Sequence, residues 1–441
     1  MTTPLPPEMS EHFKTREPSA IRLAQIEFAR RKDPVIPINT AIGNVTLPMH
    51  PRMRERLARL AEPGSPFADG VVKYSPTIGE AETRKAVLNV IASSGFPTKG
   101  LDAMITDGGS QVMELLVVGL AGKAGSAEKP LLLIDAAYVN YRSFAERCGR
   151  ATVSIRRSLR EDGTYSLPDI AEIERVIEKN RPGAIVVIPY DNPTGQLYSE
   201  EMLVELARLC VKHNLWMVSD EAYRELYYID RPPVSIWGID DTKVPGIEGR
   251  RIGIDTASKV WNACGLRVGA LVTDNEEFLR RAVAEYTANL CSNVIGQYIY
   301  AALANESHDA MRAWYREQKE YYRAMMSRFW TDLNEQLPGI IISVPHAAIY
   351  SVVDVRRIAP PDFDALDFVM TSVRTGAVEI DGKKYTLLVS PMADFYDCPP
   401  GTPNPGRTQM RIAFVETPEK MELVPRVFAE LFRSYCANRR L

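Results

Sequence analysis

The segment Asp255-Thr256-Ala257-Ser258-Lys259, with Gly265, Arg267 and Gly269 just beyond it, puts an amine, two hydroxyls and a guanidinium on one short stretch. A primary amine forms an imine with a carbonyl group, and hydroxyls together with a guanidinium hold a phosphate. The set suits a carbonyl compound that carries a phosphate. Taken alone, the same stretch also describes a surface lysine beside hydroxyls, so its meaning depends on what the rest of the chain brings to it.

Other segments supply compatible groups. Leu215-Trp216-Met217-Val218-Ser219 runs straight into Asp220-Glu221-Ala222-Tyr223. A carboxylate directly after an apolar strand is costly to bury unless a cation meets it; a helix N-cap is the competing use of Asp220. Asn192 sits in Tyr190-Asp191-Asn192-Pro193-Thr194-Gly195, where the following proline pushes it towards extended geometry. Asp107-Gly108-Gly109-Ser110-Gln111 joins a short strand to an apolar helix, which turns backbone N–H groups and the helix dipole towards an anion. It is neither a G-K-[ST] phosphate loop nor G-x-G-x-x-G. Tyr138, past another strand, offers a ring face for stacking, or ordinary packing. Tyr74, in the turn-rich Lys73–Gly79 segment, reads equally as a tyrosine at the edge of the core. Gly43 closes a strand and lets backbone approach a ligand, or serves as a turn residue. Arg411 lies within an apolar strand at 410–414.

The elements that must position these groups follow from periodicity. Strands are expected at 35–42, 103–106, 131–134, 184–189, 215–219 and 251–254, and helices at 20–31, 80–92, 112–120 and 199–213. Strand and helix alternate from about 100 to 275, which argues for an α/β unit with a mainly parallel sheet. Ligands bind such sheets at the carboxyl ends of the strands, and Ser110, Tyr138, Asn192, Asp220 and Lys259 all fall there. A helical tract at 309–337 leads to strands at 340–344, 349–355, 385–389 and 410–414. A last helix follows, with Thr417 at its N-cap and Pro418 at its first position. Residues 1–18 read as a Pro-rich arm, and 391–407 as a Pro/Gly loop of the length that is functional or mobile.

Composition narrows the classes. With 441 residues, 45% of them hydrophobic and 25% charged, the chain has the make-up of a globular protein with more than one core. A net charge of −3 gives no reason to expect nucleic acid or an anionic membrane as partner. The five histidines have no metal-ligand spacing, so no metal is expected. Six scattered cysteines read as free thiols in a reducing compartment. The N-terminus has no apolar signal core, and the longest apolar runs are too short for a bilayer. The cytoplasm is the expected location.

Asn192-Pro193-Thr194-Gly195, Asp220-Glu221-Ala222-Tyr223, Thr256-Ala257-Ser258-Lys259 with Arg267, and Arg411-Ile412-Ala413-Phe414, in that order, resemble the fold-type I pyridoxal-phosphate enzymes. The resemblance is to the class I/II aminotransferases of the aspartate aminotransferase superfamily and covers residues from about 43 to 415. It implies an α/β fold whose large domain, 50–305, holds a mainly parallel seven-stranded sheet between helices. A smaller α+β domain is built from both ends of the chain, 1–49 and 306–441.

It further implies pyridoxal 5′-phosphate as cofactor, with Lys259 as the Schiff-base lysine that also moves the substrate α-proton. Asp220 would pair with the pyridine nitrogen, Tyr223 and Asn192 with the ring 3′ oxygen, and Tyr138 would stack on the ring. Ser110, Gln111, Thr256, Ser258 and Arg267 would cup the phosphate. Tyr74 would reach the phosphate of a neighbouring subunit, which makes the enzyme a homodimer with shared active sites. Arg411 and the Gly43 backbone, with Asn192, would bind the substrate carboxylate.

The implied reaction is transfer of an amino group between an amino acid and a 2-oxo acid through the pyridoxamine form. The substrate is expected to be of the aspartate or glutamate type; the sequence shows no assignable second arginine for a distal carboxylate, so aromatic and neutral amino acids stay open. A β-C–S lyase or cyclopropane-forming synthase on the same fold is the alternative. Three places depart from the family pattern: Ala136 stands where a proline is usual, Pro345-His346-Ala347-Ala348-Ile349-Tyr350 lacks the usual glycine, and the 391–407 loop is long. These departures bear on the substrate, not the cofactor.

Overall fold

The computed structural model describes residues 7–166, 169–399 and 401–439. The first six residues of the arm and Pro400 of the Pro/Gly loop thus lie outside the described residues.

Seven strands form the main sheet, in the spatial order Asp102–Thr106, Gly269–Thr273, Arg251–Thr256, Trp216–Asp220, Ala184–Val187, Leu131–Asp135 and Thr152–Arg156. Neighbours run parallel, except that Gly269–Thr273 is antiparallel to both strands beside it. The central strands are buried along their length. A sheet covered by helices on both faces needs continuous apolar runs, not alternation, and Leu131-Leu132-Leu133-Ile134 is such a run. The covering helices bury one stripe each. Val112, Met113, Leu116, Val117 and Leu120 do so in Gly109–Leu120, and Leu203, Leu206, Ala207 and Cys210 in Glu200–Lys212.

Several boundaries differ from the sequence-based expectation in ways that matter. The helix expected from residue 112 starts at Gly109, because Gly108 (φ +82°) turns the chain immediately after the strand. Ser110 and Gln111 are therefore first-turn residues. The strand expected to stop at Ser219 includes Asp220, and the residues after it form turns, so Asp220 caps no helix. Thr152–Arg156 was not foreseen: it is an edge strand in which only Ile155 is buried.

Ile36–Asn39 pairs in parallel with Lys383–Leu388, weaving the start of the chain into its last third. A separate antiparallel sheet joins Tyr350–Asp354 to Gln409–Ala413, with Val352 opposite Arg411 and Ser390 on its other side. The helix His308–Gln336 is about 44 Å long at 1.5 Å per residue. It buries Met311, Tyr315, Tyr322, Met326, Phe329 and Leu333 at helical spacing, packing on both Ala81–Ser93 and Pro418–Asn438.

The 391–407 loop is folded down. Pro391 pairs with Met410, short 3₁₀ turns form at Ala393–Phe395 and Pro405–Arg407, and Met392, Phe395 and Tyr396 pack with Ala136, Leu159, Tyr165 and Val352. Among the described residues, no helix is long and apolar enough to cross a membrane.

Candidate active site

The carboxyl ends of the parallel strands open into a cavity of about 300 Å³. It is lined by every residue singled out from the sequence except Gln111 and Tyr74: Gly43, Ser110, Tyr138, Asn192, Asp220, Tyr223, Thr256, Ser258, Lys259, Arg267 and Arg411. A larger surface depression, of about 460 Å³, lies among Arg52, Arg56 and Glu306. Its charges are already paired, Arg52 with Glu306 and Arg56 with Glu82, which leaves little for a ligand.

One end of the cavity is made for an anion. The helix Gly109–Leu120 begins there with no side-chain cap, so its first N–H groups face outward. Thr256 Oγ1 and Ser258 Oγ lie 2.7 Å apart, and Thr256 Oγ1 also accepts from the Ser258 N–H at 3.1 Å. Arg267, in the left-handed region at φ +52°, donates to Cys264 O at 3.1 Å and lies over Gly108. A Cβ at Gly108 would run into its guanidinium, and one at Gly269 into the Gly108 backbone, so both glycines are needed for this approach. Gln111 points elsewhere: its side-chain carbonyl accepts from Asp107 N at 3.1 Å and from Tyr286 Oη at 2.9 Å.

Lys259 and Asp220 both line the same cavity. Lys259 Nζ donates to Gly43 O at 2.5 Å, and among the described residues no carboxylate pairs with it. A side chain at Gly43 would collide with the Tyr350 hydroxyl and press on Nζ. Asp220 accepts from Tyr141 Oη at 2.5 Å and from Ala222 N at 3.1 Å. Burial pushes its carboxyl above the usual range, and these two hydrogen bonds oppose that shift. Tyr141 escaped the sequence reading; its ring meets Tyr138 edge-on at 5.5 Å. The Tyr138 hydroxyl accepts from Asn140 Nδ2 at 2.8 Å, and burial pushes its phenol up to about 12.

A third group centres on Asn192. Its Nδ2 donates to Tyr223 Oη at 3.3 Å and its Oδ1 accepts from Arg411 Nη1 at 2.9 Å. Tyr223 Oη lies 3.0 Å from Tyr350 Oη, and burial raises the Tyr223 phenol well above its ordinary value. Arg411, only 3% exposed, also donates to Ala41 O at 2.7 Å and packs against the Tyr350 and Phe395 rings. Its Nε is buried without a partner, and among the described residues no carboxylate pairs with it. A buried guanidinium short of an anion is ready for a carboxylate, which its planar fork takes bidentately.

Tyr350 and Phe395, which also line the cavity, lie in the two segments expected to bear on the substrate, although neither was singled out by itself. Conversely, Ala347 and Ala348, at the departure expected to shape the substrate mouth, are fully buried and bond to Gly195 O and Leu226 O. Met392 is buried in the core beneath Phe395. Tyr74 is 78% exposed, beside Val71 and Val294 on the outer surface.

A mainly parallel α/β sheet that presents an unpaired lysine, a buried carboxylate and a cup for a phosphate defines a fold-type I pyridoxal phosphate enzyme. Residues 37–371 match the model of the family aminotransferase class I and II, and the chain belongs to that family. It is 25% identical to the aspartate/prephenate aminotransferase of Thermus thermophilus over 366 residues, 81% of this chain and 87% of that one. It is 28% identical to the alanine aminotransferase of Mycobacterium tuberculosis over 313 residues, 68% of this chain and 67% of that one. Among solved structures, aspartate aminotransferase from Thermus thermophilus with maleate superposes with a TM-score of 0.77 at 21% identity, covering 96% of this chain and all of that one. Kynurenine aminotransferase from Pyrococcus horikoshii gives 0.77 at 19% identity, covering 97% of each. The chain is a pyridoxal-phosphate-dependent transaminase, and the groups around the cavity fit that cofactor: an uncapped helix end and paired hydroxyls for its phosphate, an amine for its aldehyde, and a carboxylate for its ring nitrogen.

Proposed function

We propose that the enzyme moves the amino group between a dicarboxylic amino acid, of the aspartate or glutamate type, and a 2-oxo acid. The observation that carries this is the unfilled guanidinium of Arg411 on the same cavity as Lys259, with a second guanidinium, Arg22, on the rim. Arg22 is exposed, bonds to Gln25 Oε1 at 2.8 Å and has no acidic partner among the described residues.

In this reading Ser110, Thr256, Ser258, Arg267 and the N–H groups of the Gly109–Leu120 helix hold the phosphate. Asp220 meets the ring nitrogen, Asn192 and Tyr223 the ring oxygen, and Tyr138 the ring face. When bound, pyridoxal phosphate supplies an electron-withdrawing ring that stabilises negative charge at the substrate α-carbon. Arg411 grips the α-carboxylate, assisted by Asn192 and the Gly43 backbone, and so fixes that carbon beside the lysine. Lys259 tethers the cofactor and then moves a proton at the α-carbon as general base and acid. Tyr141 and the Ala222 N–H keep Asp220 oriented.

The division into a cofactor-holding domain, 50–305, and a smaller one from 1–49 and 306–441 belongs to the same proposal. The pairing of Ile36–Asn39 with Lys383–Leu388 supports it. So does a homodimer: Val71, Val72, Tyr74, Leu290 and Ile295 are exposed apolar groups, and Tyr74 would meet the phosphate held by the partner. Sedimentation is expected to give twice the chain mass, and Tyr74→Phe to weaken cofactor retention while leaving the substrate KM in place. A monomer with full activity would remove that role from Tyr74.

The reading is tested by mixing the loaded enzyme with each amino acid in turn and following the loss of visible absorbance. Aspartate or glutamate should react fastest, and turnover should require a 2-oxo acid. Release of ammonia without an acceptor would mark elimination instead. Arg22→Ala is expected to raise KM for the dicarboxylates about tenfold, worth ~1.4 kcal/mol, and to leave alanine and phenylalanine unchanged. Aromatic amino acids are the second reading, favoured by Phe144, Phe395, Val139 and Ile21 along the cavity wall.

A further inference from the structure

We infer that Arg157 is a positioning residue for substrate binding, acting on Arg411 through Asp191 and Asn192. Arg157 and Asp191 are 1% and 2% exposed and neither lines the cavity. Arg157 Nη2 donates to both Asp191 carboxylate oxygens, at 3.2 and 3.0 Å, and to Ala136 O at 2.7 Å. Its backbone N–H donates to Asp135 O at 2.6 Å. Asp191 is held from the other side by the Thr194 N–H at 3.2 Å and by the Thr194 hydroxyl. One guanidinium therefore pins the turn that carries Asn192 to the turn that carries Ala136, Ala137 and Tyr138.

A buried ion pair is a poor source of stability, since apolar side chains of similar volume serve as well. It does fix direction: a single guanidinium nitrogen, Nη2, meets both carboxylate oxygens and, with the Thr194 N–H and hydroxyl on the other side, fixes the plane of that carboxylate. Asp191 is adjacent to Asn192, so fixing its plane limits rotation of the peptide that bears the Asn192 amide. That amide has a task on each side, accepting from Arg411 Nη1 and donating to Tyr223 Oη. The route from Arg157 to the guanidinium that receives substrate is thus an unbroken line of short contacts through two adjacent residues. Without it Asn192 keeps only Tyr223 Oη and the restriction from Pro193 to orient it, and the partner on one arm of the Arg411 fork is held less firmly.

This inference rests on the reading of Arg411 as the carboxylate site, and the experiment separates the two. In the loaded enzyme, Arg157→Met is expected to raise KM for the amino acid and the Kd of the unreactive dicarboxylate succinate, measured by calorimetry, each about tenfold. Cofactor retention by absorbance titration should stay as in the wild type, and Arg157→Lys should recover only part of the loss. In an Asn192→Ala background the same substitution should add less than about twofold, because contacting residues in one line are not additive. Asp191→Asn, which keeps the volume, replaces Arg157→Met if that variant does not fold and is read in the same way. Equal effects with and without Asn192, unchanged KM and Kd, or loss of cofactor in step with loss of substrate would each overturn the inference. If Arg411→Ala leaves succinate binding intact, the carboxylate site itself is misassigned, whatever Arg157 does.

Discussion

Lys259→Ala is expected to abolish covalent attachment of pyridoxal phosphate. Borohydride reduction should leave no cofactor mass on the peptide around residue 259, and the visible absorbance of the loaded enzyme should change accordingly. The structure leaves no substitute amine among the described residues lining this cavity, since its other cations, Arg22, Arg267 and Arg411, are guanidines. Guanidinium groups stay protonated and do not form imines at neutral pH. On the proposed role of Lys259, proton movement at the substrate α-carbon loses its carrier at the same time. A general acid–base group contributes on the order of 10²–10⁴-fold, so turnover should fall by at least the upper end of that range once the tether is lost too. An unchanged spectrum and an unchanged reduced mass would sink the assignment. Folding should survive, because Lys259 contributes one hydrogen bond, to Gly43 O.

Arg411→Ala should act on substrate alone. The guanidinium has two protein partners, Ala41 O and Asn192 Oδ1, and one buried N–H with none. Removing one member of a buried, hydrogen-bonded charge pair costs ~3–4 kcal/mol, so kcat/KM for amino acids and 2-oxo acids should fall on the order of 10²–10³-fold, mostly in KM. Arg411→Lys should recover little, because an ammonium cannot reproduce the fork. Cofactor affinity should be nearly unchanged, since the phosphate is assigned to Ser110, Thr256, Ser258 and Arg267. Loss of cofactor with substrate binding intact would show that the two anion sites have been exchanged.

Much of this site was legible because an apolar strand that ends in a polar group announces itself: Leu215 to Ser219 before Asp220, Arg251 to Ile254 before Lys259, Ala184 to Ile188 before Asn192. What stayed hidden has physical causes. Gly269–Thr273 was not among the expected strands, and hydrophobic pattern reports burial and period but not direction, so its reversed heading was not legible either. Successive residues on an α-helix point about 100° apart; Ser110 faces the cavity, while the Gln111 side chain turns to Asp107 N and Tyr286 Oη. Tyr141 carries no local mark of its role, because its partner Asp220 belongs to a distant strand. Tyr350 and Phe395 lie in segments that depart from the family, but tertiary folding decides that they face the cavity, while the N–H groups of Ala347 and Ala348 donate to Gly195 O and Leu226 O.

The reversed heading of Gly269–Thr273 has one more consequence. Because that strand runs back along Arg251–Thr256, its first residue lies beside Thr256 on one neighbour and Thr106 on the other. A five-residue strand is about 17 Å long. Had it run with the rest, its entrance would lie at the far rim, a full strand length from Lys259, and the chain would need a crossover helix to reach it. The about-face turns the link between the two strands into a short arch over the rim. One end of the arch bears the amine and the other the Arg267 guanidinium, set between the paired hydroxyls and the open helix end.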